Sequence, residues 1–126
     1  MTQQKRFVVQ KHTKGSDIHW DLMIEDGDKL KTWRLENPPE KLSTEKTKAT
    51  PIDDHDKKFL TYQGPVNNGT GTVEIVDEGF CIIESTSENE MNINFDGKKL
   101  KNKFRLFCLT NIWFFESITT STSNTR

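Results

Sequence analysis

Two of the chain's three histidines lie in one short stretch, HTKGSDIHWDLMIEDG (His12 to Gly27), and an aspartate follows the second by two positions. His19 and Asp21 alternate with Trp20, Leu22 and Ile24. On a strand they would share a face, about 6.5–7 Å apart at ~3.3 Å per residue. His12 ends the preceding β-rich run, RFVVQKH, and comes beside them if TKGSDI folds back. Two imidazoles and a carboxylate are a frequent ligand set for a divalent transition metal with positions open for water or substrate. The same spacing also describes an amphipathic strand whose polar face is simply solvated, and H-x-D alone does not choose between the two.

The other reactive residue types are less directive. His55 sits in IDDHDKK, where a solvated loop histidine is the ordinary reading. Lys46 and Lys48 lie among threonines upstream of it, as a solvated loop or a phosphate-contacting patch. GTGT (Gly69 to Thr72) has no following Gly-Lys-Ser/Thr, so it is a hairpin turn rather than a P-loop. Cys81 and Cys108 lie in apolar runs and form no C-x-x-C, which predicts buried free thiols and excludes a zinc ribbon.

The elements that must position these residues are strands. HWDLMIE alternates cleanly, EDGDK carries an Asp-Gly hairpin signal, and KLKTWRLE returns until Pro38-Pro39 stops the pairing. Residues 40–54, polar and Lys-rich, read as a loop. KFLTYQGPV reads as a strand ending at Gly64-Pro65. TVEIVDEG and GFCIIEST read as two strands paired across DEG, followed by a strand in EMNINFDGKKL and a hairpin of KFRLFCLT with IWFFES. No helical period of useful length is present. The fold expected is all-β or mainly β, a small antiparallel barrel or strongly curved sheet, over residues 1–116. Residues 117–126, rich in Ser and Thr, read as a flexible tail.

Composition bounds the function. The 126 residues suit one core, and only 32% are hydrophobic, so that core should be thin and rich in aromatics. A formal charge of −1 gives no global attraction to nucleic acid, so phosphate binding would need a local patch. No apolar run approaches a membrane span and the N-terminus has no signal-like core, which points to a cytoplasmic chain, expected to be monomeric.

Taken together, the order RFVVQKH, HWDLMIE, LKTWRLE, DDHDKKFLTYQGPV and GTGTV resembles the phosphoesterase domain of bacterial ligase D proteins and of free-standing relatives. That family's pattern is F-V-V-Q-K-H, H-Y-D-x-R-x-E, L-K-S-W, E-D-H and G-A-G-T-V. The likeness covers most of residues 6 to 116 and all three histidines fall on family site positions. The resemblance implies a small β-barrel that removes 3′-phosphates or 3′-ribonucleotides from primer-template DNA, with Mn2+ preferred and Zn2+ or Co2+ as alternatives. It implies His12, His19 and Asp21 as metal ligands, His55 with Asp53 as the catalytic pair, and a DNA ligase or polymerase as partner in trans. The alternative is a metal-containing module that binds nucleic-acid ends without turnover.

The sequence departs from the family at informative places. Met23 stands where the family has an arginine, Asn37 where it has a lysine, Phe59 where it has a tyrosine, and Thr47 where it has a basic residue. A thioether cannot replace the planar, bidentate grip of a guanidinium on phosphate. Arg34, Lys46 and Lys48 are the nearby cations that could restore it.

Overall fold

The structure is a computed structural model and describes residues 3–118. The tail expected from residue 117 lies, past Ile118, outside the described residues. Nine strands form one antiparallel sheet: β1 (Gln4–Lys14), β2 (Asp17–Asp26), β3 (Lys29–Leu35), β4 (Thr47–Asp56), β5 (Gly64–Val66), β6 (Gly71–Thr86), β7 (Glu90–Asp96), β8 (Lys101–Leu109) and β9 (Ile112–Ser117). The order is β1-β2-β3-β4-β9-β8-β7-β6-β5, and a β1–β6 pairing closes eight of them into a barrel, as the alternation led us to expect.

Strand alternation decides what lies inside. Phe7, Val9, Leu22, Ile24, Trp33 and Leu35 point inward and meet Ile93, Phe95, Phe104, Leu106 and Phe115. Phe95 sets its edge against Phe7, Phe104 and Phe115, while Phe104 stacks on Phe115 with ring centres 4.8 Å apart. Aromatic area therefore carries much of a core built from few aliphatic residues. Cys81 is buried in this core, and burial pushes its thiol up to about 12; Cys108 is half-buried, and both are free.

The outer wall of β1–β3 is not simply solvated. A short 3-10 turn at Lys57–Leu60 lies over it, capped by Asp56, whose carboxylate accepts from the Lys58 N–H. Beneath the turn, Val8, Met23, Leu30 and Leu60 form a second apolar cluster. Met23 is fully buried there.

Three expectations change. Residues 47–54, part of the 40–54 stretch read as a loop, belong to β4. KFLTYQGPV is not one strand; it supplies the 3-10 turn and the three-residue β5. TVEIVDEG and GFCIIEST do not form a hairpin across DEG. They are one 16-residue strand, β6, with a bulge against β1 just before Asp77. Its first part lies between β1 and β5 and its last part between β1 and β7, so the strand must bend where it changes neighbours.

Candidate metal centre

β1 and β2 pair so that His12 faces His19 and Gln10 faces Asp21. The alternation that sends Trp20, Leu22 and Ile24 inward leaves His12, His19 and Asp21 together on the outer wall. His12 Nδ1 lies 3.0 Å from His19 Nε2, and His19 Nε2 lies 3.4 Å from Asp21 Oδ1. One donor atom from each of the three residues falls within 4.8 Å of the others.

That geometry suits an ion. Ligands at about 2.1 Å from a metal stand roughly 3.0–3.4 Å apart in octahedral or tetrahedral arrangements. Asp21 is buried, yet its Oδ1 has no hydrogen-bond partner. A buried carboxylate oxygen left without a partner is costly unless something else satisfies it. The residues present therefore fit a divalent cation.

The charges agree with this. Burial pushes the Asp21 carboxyl above its ordinary value, although the positive charge of His19, Arg34, His55 and His12 pulls the other way. Burial also lowers His19, against the raising influence of the Asp21 carboxylate, with Arg34 and His12 adding to the lowering. Both directions describe a pocket short of solvent, where a cation bound to neutral imidazole and ionised carboxylate would be favoured.

The remaining predicted residues are placed unevenly. His55, on β4, is close enough to Asp21 for its charge to bear on the carboxyl, and its ring sets its edge against Phe59. The Asp53 carbonyl lies 3.0 Å from His55 Nδ1. A carbonyl can only accept, so Nδ1 carries the proton and Nε2 is left for a ligand. Asp53 thus serves His55 through its backbone. Arg34 is the direct cross-strand partner of Asp21, and its side chain is exposed. Lys48 and Lys46 lie farther round the wall, beside β9, with the Lys46 ammonium 4.8 Å from the centre of the Phe114 ring. The Tyr62 hydroxyl donates to the Pro65 carbonyl and so closes its own loop.

Two supporting residues were not singled out from the sequence. Gln10, buried between Val8 and His12, donates to the Phe59 and Tyr62 carbonyls at 3.0 and 2.8 Å, and thereby ties the 3-10 turn to β1. Its place in F-V-V-Q-K-H, on the same face as His12, was the available signal. Gly71 packs against the His12 ring, and a Cβ there would lie 2.9 Å from His12 Nε2.

A closed antiparallel barrel with a His-His-Asp cluster on its outer wall is the class that fold and site define. The sequence pattern of the DNA ligase D 3′-phosphoesterase domain matches residues 10–108, and the chain belongs to that family. A curated relative, the multifunctional non-homologous end joining protein LigD of Pseudomonas aeruginosa, is 27% identical over 109 residues. The match takes in 80% of this chain but only 13% of the relative's length.

Proposed function

We propose that the protein is a metal-dependent phosphoesterase that trims DNA 3′ ends, removing a 3′-phosphate or a 3′-ribonucleotide in repair. The observation that carries this reading is the convergence of His12, His19 and Asp21, with a buried carboxylate oxygen lacking a partner, in a chain of the ligase D 3′-phosphoesterase family. Mn2+ is the ion we expect. Work on DNA ends would place the protein in the cytoplasm, alongside a ligase or polymerase acting in trans.

When bound, the ion would act as a Lewis acid toward a phosphate oxygen and lower the pKa of a coordinated water. His12, His19 and Asp21 would hold it. His55 presents Nε2, because its Nδ1–H is held by the Asp53 carbonyl, and only as the imidazolium, with both ring nitrogens protonated, does it donate from Nε2 a hydrogen bond to the phosphoryl group or a proton to the leaving oxygen. Arg34, opposite Asp21, supplies the planar phosphate grip that Met23 cannot, because Met23 is committed to packing under the 3-10 turn.

Release of inorganic phosphate from a primer-template bearing a 3′-phosphate tests this, with Mn2+ present. Wild type should turn over, and His19→Ala should lose at least about 10²-fold in rate. Arg34→Ala should lose about tenfold or more, with Arg34→Lys recovering only part, since lysine lacks the fork. Equal background release by wild type and His19→Ala sinks the enzyme. The burial of Met23 at the family's arginine position favours one second reading, a module that keeps the metal and binds ends without turnover. Tight Mn2+ binding with no release from any 3′-ended substrate would establish it.

A further inference from the structure

The outer wall beyond Arg34 carries a row of cations that form no ion pair among the described residues. In register, Asp21 faces Arg34 across β2–β3 and Arg34 faces Thr50 across β3–β4. Lys48, two residues before Thr50 on the same face, faces Phe114 on β9, and Lys46 lies over the Phe114 ring. Arg34, Thr50, Lys48 and Lys46 are exposed. Among the described residues, no carboxylate lies within 4.0 Å of Arg34, Lys46 or Lys48, the neighbouring Glu36 and Glu45 included. Along the middle of β8 and the end of β9 the charges are paired. There Lys103 meets Glu84 at 3.7 Å, and Arg105 meets Glu116 at 2.6 Å and Glu90 at 3.8 Å. The acid of β9, Glu116, is thus taken up by Arg105, whereas Arg34, Lys48 and Lys46 are left without an ion pair among the described residues.

The row ends on apolar surface. Phe114 is half-buried, and Ile112, two residues before it on the same face, is 42% exposed. Ile112 pairs with Leu109, which is 55% exposed. Cations that lead onto exposed apolar and aromatic side chains match a strand with phosphates on one edge and unstacked bases on the other.

We propose that the outer wall of β3, β4 and β9 is the surface on which the last few nucleotides of the processed strand, unpaired from the template, lie as the 3′ end enters the proposed metal centre, with Lys48 and Lys46 on their phosphates. The inference rests on the end-processing reading above. From β2 to β9 is three strand spacings, about 14 Å at ~4.8 Å each, the span of a few nucleotides. Those three steps also turn through more than a third of an eight-stranded barrel. A stiff duplex, with a persistence length of ~150 base pairs, does not follow such a bend, whereas a single strand does.

The test is binding rather than turnover. Anisotropy of a labelled single-stranded oligonucleotide is titrated with full-length protein in EDTA, across a salt series. The double variant Lys46→Gln/Lys48→Gln should bind about tenfold or more weakly at low salt. Its log affinity should fall less steeply with log salt, by about 1.4, as expected for two lost phosphate contacts at ~0.7 each on a single strand. Lys101→Gln, exposed on β8, should bind as wild type does. The proposal is overturned by an unchanged double variant, by an equal loss in Lys101→Gln, by wild type that binds no oligonucleotide, or by tighter binding of blunt duplex than of single strand. Because no step needs catalysis, wild type that binds as described but releases no phosphate overturns the enzyme and leaves this surface standing.

Discussion

Gly71 shows how closely the candidate metal centre is packed. Its backbone lies outside the left-handed region, so conformation alone would admit other residues. Space is what forbids them: a Cβ would meet His12 Nε2 at 2.9 Å, the Thr13 carbonyl at 3.3 Å and Val66 at 3.4 Å. The His12 ring would have to turn, and ligand geometry tolerates little turning. Gly71→Ala should therefore weaken Mn2+ binding about tenfold or more, read by titration calorimetry, while the barrel's far-ultraviolet spectrum stays unchanged. Unaltered affinity would show that the ring is free to move. The three proposed ligands were legible because histidine and aspartate sharing a strand face ask for a reason, and the family pattern supplied one. Gly71 was not, because its reason is a contact with a residue far away in sequence. GTGT by itself reads only as a turn.

At the scale of elements, the misread segments share a cause, which is that neighbours override local signals. DEG looks like a hairpin turn, yet Asp77 is buried and works on another loop. Its Oδ1 accepts from the N–H groups of Glu78, Lys98 and Lys99, and its Oδ2 from that of Leu100 at 2.7 Å. One carboxylate thereby satisfies the turn between β7 and β8 and fixes it to the bend of β6. Gly79 lets the bent strand pass close to the Asp96 carbonyl, which a Cβ would strike. β4 was obscured for a related reason. It pairs with β9 only at Thr47 and Lys48, so Pro51 meets β3 alone and sits on a free edge, where proline is tolerated. Its inward residues, Thr47 and Ala49, are too small and too polar to announce a buried face. The alternating strands β2 and β3, which place Asp21 beside Arg34, needed no such help and were read directly. Asp77→Ala leaves four backbone donors at this junction without their acceptor and should cost about 3–5 kcal/mol. Urea denaturation should show the midpoint falling at an unchanged slope, and a loss below 1 kcal/mol would mean that the junction repacks or hydrates freely.

For the molecule as a whole, the proposed metal centre would set stability against function. Burial raises the Asp21 carboxyl, so without metal the folded state holds its proton more tightly than the unfolded chain does. The sign follows from this. The contribution is favourable below the unfolded value of about 3.9, is lost as pH rises through the folded value, and leaves metal-free protein burdened near neutrality by a buried carboxylate. Asp21→Asn removes the charge and with it the burden. Metal-free Asp21→Asn should thus melt above metal-free wild type at pH 7, and the difference should shrink as pH falls through the folded value of Asp21. Added Mn2+ should reverse the order. Wild type gains about 2.7 kcal/mol when the ion stands at 100 times its Kd, whereas the variant, with one ligand weakened, gains little. Thermal melts of both proteins in EDTA and in Mn2+, from pH 4 to 8, measure all of this. A variant that melts below wild type in EDTA at pH 7 would show that His19 and Arg34 already repay the carboxylate without an ion. A wild-type melting point indifferent to Mn2+ would remove the metal from the proposed function altogether.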